Sequence, residues 1–387
     1  MRDSEIRIEL VCDEPGLRAL KDEWETLWLK AQGRYFQRFD VSLLAWLHVA
    51  KPRRRKLRCI VLRENGELRL VWPLVAYRRA LWTYLLPLSP DAGDYTSVLV
   101  EDGQDARALI ERAWRIACER FKTDFIHLPY MNEGSELHRI ASAERHILGR
   151  SRHESWIAKL RDESDWKTFS GSLGTMFGKK PGQLERRLAK EGALSIRMVN
   201  TSDTEAIARY VRWMLESKRG WSGRVGKRGK WLFSPYYERF LISTLTYRGE
   251  TSDKEPPARL MMVTLDDQPM AAVIMSHGNP MANAVIAGFN AEYGRFGPGS
   301  IAWEHSVKWA FEQRYDIDFG VGSERFKTYW SRNNGSHAWT MQIANTTWGL
   351  IGYRVVRTLR DLVSAARGTS KGTPAPEGES APARGKG

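Results

Sequence analysis

The stretch YGRFGPGS, 293–300, sets three glycines and a proline close together: Gly294, Gly297, Pro298 and Gly299. An apolar run, AVIAGF, precedes it, and a helix-like run, IAWEHSVKWAFEQRY, follows it. The start of a helix leaves backbone N–H groups unpaired and carries partial positive charge, so it attracts anions. Glycines keep side chains out of the approach and supply the positive φ values it needs. Arg295, Phe296, Gly297, Gly299 and Ser300 are therefore expected to cradle a diphosphate, with Arg295 adding charge. The same residues also suit a plain turn in which Pro298-Gly299 starts the helix. No Gly-Lys-Ser/Thr follows, so the loop is not a P-loop. The strand before it closes an antiparallel meander, so it is not a dinucleotide-binding turn either.

Charge and composition bound what such a loop would serve. The 387 residues suffice for two domains, and 42% hydrophobic with 27% charged residues is a globular balance. The formal net charge of +14 calls for an anionic partner: phosphate groups, nucleic acid or an anionic membrane face. Residues 179–230 hold 14 Lys/Arg against 5 Asp/Glu, and KPRRRK at 51–56 is a second basic cluster. Either is also consistent with a solvated basic face. Three dispersed cysteines, Cys12, Cys59 and Cys118, argue against a disulfide framework and a cysteine zinc site. The eight histidines form no HxxxH or HExxH spacing, so no metal is expected. No apolar run reaches bilayer length and MRDSEIRIEL is no leader, so a cytoplasmic location is expected.

The elements that must hold the loop read most clearly in the second half. ALSIRMV (193–199) alternates as a strand does. SDTE at 202–205 has capping-box spacing, with Ser202 as cap, for a helix whose Ile207, Tyr210, Val211 and Met214 share a face. A second helix is expected over 234–249 with Ser234 as cap. Strands over 259–265, 270–277 and 282–290 are joined by short turns. Then come the glycine loop, a helix over 300–314, a strand at 316–320, one or two helical turns at 322–330, and a last strand at 337–346. The first half repeats this order, with a hairpin about Asn65-Gly66 and a strand DYTSVLV at 94–100. The expected fold is α/β (α+β): two similar domains in tandem, each a mixed, largely antiparallel sheet flanked by helices. The boundaries are 1–160, a bridging segment 161–192 with a helix from about 181 to 192, and 193–350. The tail 368–387, poor in large apolar residues, is expected to be disordered.

This order resembles a GNAT acyltransferase. More closely it resembles the tandem BioF-type and cellulose-biosynthesis CelD-like acetyltransferase group, relatives of the FemAB transferases. The group's late segment reads approximately Pro-Gly, a helix with "WA", then D-F-G-x-G-D-E-x-Y-K. Here it is Pro298-Gly299, Trp309-Ala310 and DFGVGSERFK, in which Asp318, Gly320, Gly322, Glu324 and Lys327 match. Ser323 replaces an acid and Phe326 a tyrosine. Lys218-Arg219-Gly220-Trp221 is similar to the group's basic-aromatic element, and PLVAYRR and DYTSVLV resemble its first half. The usual charged residue of the donor loop is replaced by Gly294, with Arg295 one position later. The equivalent place in the first half, EDGQDA (101–106), is acidic and poor in glycine, so a donor is expected only in the second half, the first shaping the acceptor groove.

The resemblance implies direct attack of an amine or hydroxyl on the thioester of acetyl-CoA or a longer acyl-CoA, a co-substrate rather than a resident group. It implies Glu324, or less readily Asp318, as base and Tyr329 as the acid for the leaving thiolate. Lys327 would pair with a carboxylate or contact phosphate. Lys218 and Trp221 would line the substrate groove. Glu324 and Lys327 also suit an exposed ion pair, and Asp318 a cap at the strand–loop junction. The acceptor would be a small molecule or glycan: a sugar nucleotide, a lipid-linked sugar or a charged polysaccharide, with peripheral contact to the inner membrane face. Two alternatives are an aminoacyl-tRNA donor, as in the FemAB relatives, and a non-catalytic pair of GNAT-like halves binding nucleic acid or an anionic surface.

Overall fold

Asn65 and Gly66 take φ values of 51° and 87°, the left-handed pair that closes a two-residue hairpin and sets the register of the first sheet half. The structure, a computed structural model, describes residues 6–92, 94–176, 178–224, 226, 229–249 and 255–366. The tail expected to be disordered lies outside the described residues.

Thirteen strands form among the described residues. They are β1 (Ile6–Val11), β2 (Lys56–Glu64), β3 (Glu67–Arg79), β4 (Trp82–Pro87), β5 (Leu99–Val100), β6 (Phe125–Asn132), β7 (Ile147–Ala158), β8 (Leu194–Met198), β9 (Ala258–Leu265), β10 (Gln268–Ser276), β11 (Met281–Phe289), β12 (Asp316–Val321) and β13 (Gly335–Ala344). The order across the sheet is β1-β2-β3-β4-β6-β13-β7-β12-β11-β10-β9-β8, with β5 on β3. The halves mirror each other: β4 pairs parallel with β6, and β11 parallel with β12. The order of elements expected for a duplication is thus present, but the sheet is one and mixed rather than one per half. The last strand of each half crosses over. β13 pairs with β6, and β7 with β12, while β7 and β13 pair antiparallel from Gly335↔Trp156 to Ile343↔Ile147.

The packing follows the same exchange. One core joins Leu17, Trp24 and Leu44 of the first half to Tyr210, Met214, Phe240 and Leu260 of the second. Each such side chain contributes about 1.5–3 kcal/mol when fully buried. A second core packs helix Pro298–Glu312, through Ile301, Ala302 and Trp303, onto Val263, Ala271, Val273 and Phe319.

Several local expectations shift. Helix Thr204–Arg224 is capped by Asp203, whose Oδ1 accepts from Ala206 N at 2.9 Å; Ser202 Oγ instead accepts from Arg248 at 2.9 Å. Ser234 Oγ likewise accepts from Arg53 at 2.8 Å rather than capping helix Pro235–Thr246. Of DYTSVLV only Leu99–Val100 is strand. The rest is wedged beside β6, where Thr96 N donates to Pro129 O at 3.1 Å. The bridge holds two short helices, Trp166–Ser172 and Gln183–Leu188. A helix Thr347–Ala366, not foreseen, follows β13.

Candidate functional site

β11 and β12 are hydrogen-bonded only at 281–283 against 316–318. Beyond that point they part: β11 runs on along β10 to Phe289, while β12 stays on β7, from Ile317↔Ala158 through a register shift to Val321↔Ser155. Among the described residues no strand pairs with the free edge of β11. A parting of parallel strands leaves main-chain groups able to bind an extended, amide-bearing chain. In the first half, beside the corresponding fork between β4 and β6, Thr96 bonds to Pro129 of β6.

Polar groups gather at the open fork. Asn283, 7% exposed, donates its backbone N–H to Ser276 Oγ at 2.7 Å, while its Oδ1 is sealed from solvent without a partner. Its register partner Asp318 is 2% exposed. Asp318 accepts from Arg34 Nη2, from Tyr95 Oη at 3.1 Å and from Gly320 N at 2.7 Å. Asp318 thus caps the strand–loop junction and anchors the first half to the second, which leaves it poorly placed as a base. Lys218, on helix Thr204–Arg224, reaches the parted strand: its Nζ donates to Ala287 O at 3.2 Å and sits 5.3 Å over the half-buried Trp221 ring. The sequence reading missed Arg34, Tyr95 and Asn283. Tyr95 was read as part of a strand, and Arg34 and Asn283 carry no spacing signal, since only the fold brings them together.

The motif residues after β12 form a second cluster. Gly320 and Gly322 take φ of 70° and 127°, which side chains rarely adopt, so DFGVG needs both glycines. Glu324 is the cap residue of helix Arg325–Trp330. Lys327, only 7% exposed, reaches Glu324 Oε2 at 3.0 Å and donates to Val321 O at 2.6 Å. The pair is therefore built into the loop and is not the solvent-exposed pair its spacing allowed. A Cβ on Gly322 would collide with the Glu324 carboxylate. Tyr329 donates to Gly174 O of the bridge at 3.4 Å, and burial pushes its phenol up to about 12.

The glycine loop does lead into helix Pro298–Glu312, with Gly297 left-handed at φ 64° and Arg295 exposed. The bridge roofs it. Leu184 stands where a Cβ on Gly297 would sit, at 2.9 Å. Met176 Sδ accepts from Ser300 Oγ at 3.4 Å, and Gly297 O takes Ser300 N at 2.9 Å. Arg187 donates to Arg295 O at 3.3 Å, and both guanidiniums lie over the buried Phe296 ring. Phe289 packs 3.4 Å from the same virtual position on Gly299. The loop and its helix start are thus covered by Leu184, Met176 and Arg187 of the bridge and by Phe289 of β11.

A small cavity within the first half is lined by Trp24, Phe36, Asp94, Tyr95 and Ser97. Asp94 Oδ2 is sealed from solvent without a partner, and burial, reinforced by Asp91, raises its carboxyl from 3.8 to about 7. The folded protein then holds this proton while the unfolded chain, ionising from 3.8, has lost it. Its stabilising contribution is full below 3.8 and is lost as pH rises to about 7. Asp94→Asn is expected to flatten that slope and raise stability at neutral pH. Melting temperatures of both proteins across that window check this; parallel curves would refute it.

Residues 180–328 match the family described as the acetyltransferase (GNAT) domain. No curated protein matches the chain in sequence. Among solved structures it is similar to FemX, with TM-score 0.53 and 13% identity over 84% of this chain and 96% of that one. It is also similar to a C-terminal DUF2156 domain from Agrobacterium fabrum, with TM-score 0.50 and 12% identity over 92% and 100% of the two chains. A tandem GNAT protein from the clavulanic acid biosynthesis pathway has TM-score 0.46 and 11% identity over 88% and 99%. At these identities the likeness is one of fold.

Proposed function

With residues 180–328 forming a GNAT acyltransferase domain as the premise, we propose that this protein transfers an acyl group from acyl-CoA to an amine or hydroxyl of a sugar, polysaccharide or envelope precursor, in the manner of the BioF-type and CelD-like group. One observation carries the donor assignment. Along β11 come the fork where Asn283 faces Asp318, then a strand edge unpaired over 284–289, then a glycine loop leading into a helix at Pro298, and this order supports the reading. An acyl-CoA presents the matching parts in the same order: a thioester, an amide-bearing arm and a diphosphate.

The acceptor's lone pair attacks the thioester carbonyl, the carbon–sulfur bond breaks, and the acceptor's proton passes to the Glu324 carboxylate. Lys327 orients that carboxylate from 3.0 Å. Tyr329 suits the leaving thiolate less well. A phenol near 12 is a weaker acid than a thiol near 8.5, so Tyr329 would donate a hydrogen bond rather than a proton. Its bond to Gly174 O, like the Leu184 contact, must open for a donor to enter.

Calorimetric titration of the folded protein with acetyl-CoA and longer acyl-CoAs is the test. Heat of binding with at least one is expected; none with any would remove the donor assignment. A second reading, an aminoacyl-tRNA donor, is favoured by the basic surplus over 179–230 that includes part of the roof. It predicts that charged tRNA binds where acyl-CoA does not.

A further inference from the structure

Helix Thr347–Ala366 rests on the body at its start. Gly349 packs against Asp124, Gly352 against the Trp82 indole, and Tyr353 Oη donates to Leu148 O at 3.3 Å. From 354 to 359 every side chain is exposed. Trp348, Ile351, Val355 and Leu359 are 52%, 49%, 52% and 57% exposed, and their spacing places them in one stripe along the helix. By the same spacing Arg354 falls on the flank of the stripe and Arg357 opposite it. The Trp348 ring also lies 6.3 Å from Trp82, tilted by 34°, at the β3–β4 hairpin, whose tip adds Leu81, 60% exposed, beside exposed Arg78 and Arg79.

We propose that this stripe and hairpin tip form a docking surface for an anionic lipid membrane, with the helix lying in the interface plane. An exposed apolar stripe that, beyond Trp348, has no partner among the described residues and is flanked by arginines is the pattern of a helix that buries one face among acyl chains and keeps cations at the headgroups. Charge complementarity selects this occupant. The protein carries +14, which anionic lipid attracts, whereas a second copy would bring +14 against +14. No described helix is long and apolar enough to cross a membrane, so the contact is one of lying on the surface.

The test is co-sedimentation of the whole protein with vesicles of phosphatidylcholine alone, or mixed with phosphatidylglycerol, at two salt concentrations. Binding to the mixed vesicles is expected, weaker at high salt and at least about tenfold weaker on phosphatidylcholine alone. Val355→Glu with Leu359→Glu, both at exposed positions, should lower partitioning about a hundredfold with an unchanged melting temperature. Arg354→Glu with Arg357→Glu should weaken binding to the mixed vesicles alone. Unchanged sedimentation of the Val355/Leu359 variant would overturn the proposal, because charge alone would then account for binding. So would failure of the native protein to sediment, or a native dimer that the same variant splits without vesicle binding.

Discussion

Asp318→Ala is expected to destabilise the protein by about 3–5 kcal/mol, the cost of leaving a partly buried arginine without its carboxylate. Asp318 is 2% exposed and accepts from Arg34, Tyr95 and Gly320 N, so its loss strands three donors at the junction of the halves. Denaturant midpoints measure it, and a double-mutant cycle apportions it. Arg34→Met with Asp318→Leu should recover more than half the loss, since an apolar pair leaves no buried charge. The same variants separate structure from chemistry. If Asp318 were the base, Asp318→Asn would keep its midpoint and lose turnover. A stable, inactive Asp318→Asn would therefore sink the anchoring role.

Glu324→Gln is expected to keep the fold and lower turnover by about 10²–10⁴-fold, the range for removing a positioned general base. Folding should survive because Lys327 keeps its 2.6 Å bond to Val321 O and glutamine keeps the volume of glutamate. The readout is acyl-CoA-dependent release of free thiol with an amine or hydroxyl acceptor that the native protein uses. Undiminished turnover would leave the Glu324–Lys327 pair as a loop brace only. Lys327→Met serves as the contrast. It removes a buried ammonium that holds both Val321 O and Glu324, so it should lose stability as well as activity.

Local chemistry was legible in the residues themselves. Asn65-Gly66 closes its hairpin because two left-handed residues suit that turn, and β9, β10 and β11 form the expected meander because short turns allow little else. The glycines of DFGVGSERFK and of the 293–300 loop take the positive φ values for which such residues are used, at Gly320, Gly322 and Gly297. The repeated order of elements was equally visible.

Only the tertiary structure decided what those pieces do to one another. The exchange of β7 and β13 between halves is set by pairing across some two hundred residues, and an alternating strand pattern names no partner. The fold also sets Arg34 and Tyr95 against Asp318, contacts that residue types and spacing do not show. The roof over the glycine loop depends on Leu184 and Met176, ordinary apolar residues whose sequence carries no sign of where they land. Backbone conformation follows from the few residues that adopt it. The fork, the anchor and the roof arise from contacts between segments far apart in the chain, which are settled only when the whole core packs.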